Sequence, residues 1–438
     1  MTGKLNINRI FKSLFLVLKK FFLPSYFGFI QGHGYLSKNT LKDIRILVGM
    51  DNDEVVDNFE KKFSSLIGGG SSVSFAAGRM GFYSLMQEIG IKPGDHVVLQ
   101  SSTCSVMVNA VFKIGAVPIF SDINDNTFSS SIGDIEKVIT NKTKLIVSQH
   151  SFGIPCDIVP IALLAKKLKI FLLEDCALTL GSTLNGKICG NFGDAALFST
   201  DHSKPINTVS GGLIYTNCIH LYRRMKMRQS LSDRVNRQRQ KKIWHQFNLE
   251  RRYCNPKKYG KLRIVQLIYS NILGLTKNVF FSNDYSSSNE IREGYPAKLP
   301  AFMALIGIYE IDKWPERQIE RRKILKLFIL EVEKIFGNKL PKVYTDESRY
   351  IVPLRLAWSC DKGSNIRRAL SLIVDMDGVW FLRPIIATNE PLVNFGYLIG
   401  QCPVSERIGP NMVNFPCNIS YDSANVLVRN IKEKIKTK

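Results

Sequence analysis

Lys204 lies in the stretch Phe198-Ser199-Thr200-Asp201-His202-Ser203-Lys204-Pro205-Ile206-Asn207-Thr208-Val209-Ser210-Gly211-Gly212, and an acidic pair, Glu174-Asp175, precedes it. A lysine amine and a carboxylate delivered in that order can do Schiff-base chemistry. The amine takes an aldehyde carbon, and a carboxylate beside a pyridine nitrogen keeps the ring an electron sink; these are the two protein groups that pyridoxal phosphate needs. The apolar run Lys169-Ile170-Phe171-Leu172-Leu173 predicts a buried strand with Asp175 at its carboxyl end, where open α/β sheets place their ligand sites. A second run, Ala195-Ala196-Leu197-Phe198, predicts a strand that delivers Ser199 and then the lysine loop. Taken singly, a loop lysine is ordinary solvated surface and an aspartate after a strand ordinarily caps a helix. Their ordered context is what assigns them.

That context consists of several blocks in sequence. Ala77-Gly78-Arg79-Met80 opens a helix and Gly94-Asp95 enters a strand. Gly115-Ala116-Val117-Pro118-Ile119-Phe120-Ser121-Asp122 and His150-Ser151-Phe152-Gly153-Ile154-Pro155 follow, then Glu174-Asp175-Cys176-Ala177, Gly181, Gly193-Asp194 and the lysine block. In their order and spacing, residues 74–216 resemble the DegT/DnrJ/EryC1/StrS group of sugar aminotransferases. The resemblance implies a fold type I pyridoxal phosphate aminotransferase: an α/β chain with a large, mostly parallel sheet domain and a smaller C-terminal α/β domain. It makes Lys204 the lysine that holds the cofactor and shuttles the proton, and Asp175 the partner of the pyridine nitrogen. Ser199 and the backbone amides at Gly78 and Arg79 become phosphate contacts at a helix start, and Cys104 the residue packed on the ring face. Two positions depart from the family pattern. Arg79 stands where threonine or serine is common, and Leu178 stands where glutamine or histidine usually sits beside the cofactor, so a hydrogen-bond donor is lost there.

The resemblance further implies a homodimer, a nucleotide-linked keto-sugar as acceptor and glutamate as donor, in the synthesis of surface polysaccharide or secondary-metabolite sugars. A sugar dehydratase of the same family is an alternative, although that branch replaces the lysine with histidine. A regulatory or binding protein that keeps the fold without turnover is another, to which Leu178 and the basic charge would point. His150 is expected to satisfy a local backbone group near the cleft rather than to act as an acid or base.

The elements that must position these residues alternate in type. Helices are expected over 82–89, 105–114 and 158–168, and strands over 97–99, 117–120 and 145–147, which implies a parallel sheet covered on both faces. The expected organisation is an extension over 1–50, a cofactor-binding domain over 51–220, a basic connecting region over 221–300, and a linker helix with the small domain over 301–438. The helix is expected over 301–336, with Arg317, Arg321 and Arg322 on its polar side. Beyond it come a strand over 350–356, a helix over 366–373 and the block Asn411-Met412-Val413-Asn414-Phe415-Pro416.

At 438 residues the chain can bury a large core. Its nine cysteines contain no Cys-x-x-Cys pair and its six histidines are scattered, so no metal site and reduced thiols in the cytoplasm are expected. The net charge of +23 is uneven: residues 223–263 hold 15 lysines and arginines against Asp233 and Glu250. Such a stretch suits nucleotide diphosphates, anionic lipid or a solvated surface, and no motif specifies nucleic acid. Ile7, Ile10, Phe11, Leu14, Val17, Leu18 and Phe21 recur at helical spacing among Arg9, Lys12, Lys19 and Lys20. This basic amphipathic segment is too interrupted to span a bilayer and is followed by no signal-cleavage pattern; peripheral contact with an anionic inner-membrane face, or packing on the enzyme, is expected of it.

Overall fold

The computed structural model describes residues 18–262, 265, 287, 294–337 and 339–436. Most of the N-terminal amphipathic segment, residues 7–17, therefore lies outside the described residues. Helices α1 (Lys38–Ile46) and α2 (Asp53–Ile67) precede β1 (Ser71–Phe75), α3 (Gly78–Glu88), β2 (His96–Gln100), α4 (Ser105–Lys113) and β3 (Val117–Ser121). Then come β4 (Thr143–Gln149), α5 (Ile158–Leu168), β5 (Phe171–Asp175), β6 (Ala195–Ser199) and β7 (Gly212–Thr216). The sheet order is β1-β7-β6-β5-β4-β2-β3. Only β7 runs against its neighbours; the other pairings are parallel.

Both faces of this sheet are covered, and the pleat decides which side chains go where. Val97, Leu99, Leu145, Val147 and Leu173 enter the core that α3 and α4 share. Val98, Ile146 and Leu172, one position out of phase, pack with Ile158, Ile161 and Ala165 of α5 on the opposite face. By the same alternation Asp175 shares the face of Leu173, whereas Glu174 shares that of Leu172. The expected strand over 169–173 is thus shifted. Lys169 closes α5 in a left-handed conformation with φ of 53°, so the strand starts at Phe171 and Asp175 is its last residue.

Glu174 has a structural task. Its Oε1 accepts the backbone N–H groups of Phe192 (2.6 Å) and Gly193 (2.8 Å), and its Oε2 accepts that of Gly190 (2.8 Å). His150 Nδ1 accepts the N–H of Cys156 (3.1 Å), which leaves Nε2 protonated to donate to Glu174 Oε2 (3.0 Å). The carboxylate thereby pins the loop that leads into β6, and the imidazole is held away from any proton-transfer duty.

After β7 come α6 (Ile219–Leu231), α7 (Arg237–Tyr253), α8 (Ala301–Phe336), β8 (Arg355–Ser359), α9 (Gly363–Leu370), β9 (Met412–Pro416) and α10 (Tyr421–Lys436). Helix α8, about 54 Å long at 1.5 Å per residue, joins two cores. Phe302, Ile306 and Trp314 enter the first, and Ile324, Phe328 and Val332 pack with the antiparallel pair β8–β9 in the second. The strand expected over 350–356 is broken: Arg349–Tyr350 pairs with Thr183–Leu184, and β8 starts only after Pro353, which has no N–H for a ladder. The three α8 arginines are not simply solvated either. Arg321 is buried, Arg317 pairs with buried Glu310 at 2.5 Å, and the Arg322 guanidinium lies 3.6 Å from the Tyr350 ring centroid.

The basic stretch is folded where it is described. Lys226 pairs with Asp57 and Glu60, Arg224 and Arg228 with Glu88, and Arg234 with Asp51. Part of its charge is therefore spent on holding α6 and its neighbours together.

The C-terminal region also reaches back to the segment after β2. Ile385–Ile386 runs parallel to Thr103–Cys104, and the Pro384 carbonyl accepts the N–H of Ser102 (2.6 Å). This return roofs the carboxyl ends of the central strands. The buried Glu174 gives a direct stability test: Glu174→Ala leaves three backbone donors without their acceptor and should cost about 3 kcal/mol or more, read from the urea midpoint. A loss under about 1 kcal/mol would show that those amides find water instead.

Candidate active site

The carboxyl ends of β5 and β6, the start of α3 and the returning C-terminal segment enclose a cavity of about 230 Å³. Gly78, Arg79, Cys104, Asp175, Ser199 and Lys204 all line it. These are the six residues singled out from the sequence. They come from separate strands and helix starts, and the sheet order brings them together: β5 lies beside β6, while β7 returns antiparallel along β6 and sets Gly212 against the start of α3. That approach is close, because a Cβ added at Gly212 would fall 2.4 Å from the Gly78 Cα.

Each charged group is shaped by burial. Burial pushes Asp175 up from the ordinary carboxylate range, while the Ala177 N–H donated to its Oδ1 (2.9 Å) and the charge of Lys204 pull the other way. Burial pushes the Lys204 ammonium down, against the attraction of the Asp201 and Asp175 carboxylates. An amine so placed loses its proton more readily than a surface lysine. Burial likewise raises Cys104 and keeps it a neutral thiol at physiological pH.

The donor set fits pyridoxal phosphate. The first turn of α3, with Arg79, offers N–H donors and positive charge for a phosphate, and Ser199 adds a hydroxyl at the end of β6. A desolvated carboxylate such as Asp175 is matched by a protonated ring nitrogen, and a desolvated amine such as Lys204 is the nucleophile an aldehyde requires. Leu178 is buried and lines the same cavity, so it contributes an apolar wall and no hydrogen bond.

The sequence did not single out several lining residues. Trp380 reaches the cavity from the side of the second core, its ring centroid 5.4 Å from Lys204 Nζ. Its backbone is held by Asn414 Oδ1, which accepts the Trp380 N–H at 2.8 Å and also receives Arg355 Nη1 at 3.3 Å. Gln149, at the end of β4, and Ser210 and Gly211, after the lysine, complete the wall. Only Gln149 carried a usable signal, as a polar residue ending an apolar strand. His150, Glu174 and Cys176 form a buried cluster within 4.8 Å. The loop amides and the imidazole satisfy its carboxylate, so it reads as a hydrogen-bonded unit beneath the site.

Comparison with known proteins bears on this arrangement. Residues 45–432 match the DegT/DnrJ/EryC1/StrS aminotransferase family. The chain is 37% identical to GDP-perosamine synthase of Escherichia coli O157:H7 over 43% of this chain and 51% of that protein. It is 25% identical to the spore coat polysaccharide biosynthesis protein SpsC of Bacillus subtilis over 72% and 70%. The chain spans about half the length of the first curated relatives it matches. Among solved structures, the aminotransferase TlmJ of Streptoalloteichus hindustanus superposes with a TM-score of 0.69 at 21% identity, over 93% of this chain and 98% of that one. The sugar aminotransferase homologue Spr1654 of Streptococcus pneumoniae, in its PLP form, gives 0.67 at 16% identity, over 95% and 99%. These likenesses establish the aminotransferase fold. With the matched span covering most of its length, the chain belongs to the DegT/DnrJ/EryC1/StrS aminotransferase family.

Proposed function

We propose that the chain is a pyridoxal phosphate-dependent aminotransferase that moves an amino group, with glutamate as donor, onto a nucleotide-linked keto-sugar. The observation that carries this is the meeting of Lys204 and Asp175 in one desolvated cavity that has phosphate donors at its α3 end. Relatives named for GDP-perosamine synthesis and for a dTDP-amino-sugar transaminase support the acceptor class. When bound, pyridoxal phosphate supplies an aldehyde that takes up an amine and a ring that accepts an electron pair.

The protein's own groups do the rest. Lys204 would hold the aldehyde carbon, and its amine is the group placed to move a proton there. Asp175 keeps the ring nitrogen protonated. Ser199, Arg79 and the amides at Gly78 and Arg79 fix the phosphate, so the ring cannot drift from the lysine. Cys104 packs on one ring face. Leu178 and Trp380 exclude water from the reacting atoms.

His202 acts through its neighbours. Its Nδ1 lies 3.3 Å from Glu250 Oε1 and its Nε2 lies 3.4 Å from Asp201 Oδ1. Burial alone would lower it, but the Asp201 and Glu250 carboxylates win and raise it to about 9. A protonated His202 thus ties the lysine loop to α7.

The same proposal includes assembly as a homodimer and a cytoplasmic setting, following the family resemblance. It also includes peripheral contact of the N-terminal segment with anionic membrane. Among the described residues no helix is long and apolar enough to cross a membrane. Keeping a lysine at position 204 favours amino transfer over the dehydratase alternative.

Three outcomes follow. Protein mixed with pyridoxal phosphate should show a visible absorption band that glutamate bleaches and that Lys204→Ala lacks; an equal band in Lys204→Ala would contradict the assignment. Asp175→Asn should keep the band yet slow its bleaching by about 100-fold or more, measured by stopped flow. For His202 the folded pKa lies above the unfolded one, so its stabilisation is complete below about pH 6.5 and disappears as pH rises through about 9. The midpoint difference between wild type and His202→Gln should shrink across that window, and a constant difference would show that the charge is not involved.

A further inference from the structure

Residues 26–33 form a strap that precedes the stretch matched by the family, which begins at residue 45. It is pinned along its length. The Tyr26 N–H donates to the Pro256 carbonyl (2.8 Å), the Phe27 N–H to the Ile373 carbonyl (2.9 Å), and the Phe27 carbonyl accepts the Asp375 N–H (2.8 Å). At Gly32 the strap runs against the end of α7: a Cβ added there would fall 2.6 Å from the Cys254 carbonyl oxygen and 3.0 Å from that of Glu250. Glycine lets the two backbones approach that closely.

The strap ends on Asn207, three residues after Lys204. Asn207 is fully buried, and each of its polar groups is engaged. Its carbonyl lies 2.8 Å from His33 Nε2; a carbonyl carries no proton, so Nε2 is the donor. Its Nδ2 donates to the Gln31 carbonyl (2.9 Å) and to Glu250 Oε2 (3.2 Å), and its N–H donates to Glu310 Oε2 (3.4 Å). Its Oδ1 accepts the Val209 N–H (2.7 Å). Val209 is buried with φ of 72°, a left-handed conformation that a β-branched residue keeps only where its surroundings impose it. On the other side of the lysine, His202 meets the same Glu250 carboxylate. Lys204 thus sits in a loop gripped on both flanks, and Pro205, with its fixed φ, leaves little slack between the lysine and Asn207.

We propose that Gln31 and His33 are positioning residues for the reaction: they hold Asn207, and through it the strained loop that sets the Lys204 amine in the cofactor cavity. This deepens the pyridoxal phosphate reading and rests on it. Neither residue lines that cavity, so both act through the loop alone. The strap asks one N–H of the imidazole, at Nε2, because Nδ1 has no partner and Glu310 Oε1, at 3.7 Å from Nε2, is beyond hydrogen-bond reach. Without that donor the Asn207 carbonyl is unmet inside the protein. The loop can relieve this, and the strain at Val209, by shifting, and the amine shifts with it.

The test uses full-length protein and two forms of the cofactor. Pyridoxal phosphate depends on the lysine for its covalent hold, whereas pyridoxamine phosphate has no aldehyde and binds by phosphate and ring contacts alone. Dissociation constants are read from the visible band for the first and by equilibrium dialysis for the second, below the thermal midpoint of every variant. His33→Leu should bind pyridoxal phosphate about 10-fold more weakly, the scale of one buried hydrogen bond. Its pyridoxamine phosphate binding should stay within about twofold of wild type. His33→Gln, whose amide nitrogen can take the place of Nε2, should restore pyridoxal phosphate binding to within about threefold. Gly32→Ala keeps both side chains but crowds the Cys254 carbonyl; it should show the same selective loss, and it decides the matter if His33→Leu does not fold. Unchanged pyridoxal phosphate binding in His33→Leu, or in Gly32→Ala where His33→Leu does not fold, overturns the proposal. So does equal weakening of both forms, the mark of a general loss of structure, and so does a His33→Gln that behaves as His33→Leu. If wild type gives no band that depends on Lys204, the pyridoxal phosphate reading itself fails and this proposal falls with it; a wild-type band with unchanged variants sinks the strap alone.

Discussion

Asp175 sits at the end of a buried strand, where burial disfavours its charged form, and the rest of the site is arranged around that cost. Its carboxylate keeps one backbone donor, from Ala177, and faces a lysine that the same burial disfavours as a cation. Neither group would be retained there for stability alone, since a buried ionisable pair gains little over apolar packing. Together they form a cleft that a protonated ring nitrogen and an aldehyde would satisfy at once.

The fold holds that cleft from beneath and from above. Beneath, the pleat turns Glu174 to the opposite face, where it captures three loop amides and His150; the strand end is fixed by hydrogen bonds that leave Asp175 free to face the cavity. Above, the segment that carries Trp380 and Ile385–Ile386 is anchored on β8 and β9 by Asn414 and Arg355, yet it pairs with Thr103–Cys104, between β2 and α4. The cavity is therefore shared by both cores. A change in how they pack would move Trp380 relative to Lys204 without touching either residue.

Much of this was legible before the fold was seen. Alternating apolar runs predicted the parallel sheet, and the order of the motifs named six residues that prove to line one cavity. Local signals misjudged details that tertiary context decides. A left-handed Lys169 moved the strand start, Pro353 split the expected strand over 350–356, and Arg321 was buried despite its charge. Trp380 carried no signal at all, because its role depends on a chain return that no spacing encodes. The acidic pair Glu174-Asp175 could be recognised and Asp175 placed at the strand's carboxyl end, but the task of Glu174, which holds three loop amides and His150, depends on a loop that the sequence does not place.

Lys204, and no other lysine, is the residue proposed to hold the cofactor. The most direct test is borohydride reduction of the protein in the presence of pyridoxal phosphate, followed by mass-spectrometric mapping of the modified peptide. Label confined to Lys204 at one equivalent per chain is the predicted result. Label spread over surface lysines, or an unmodified Lys204, would contradict the account.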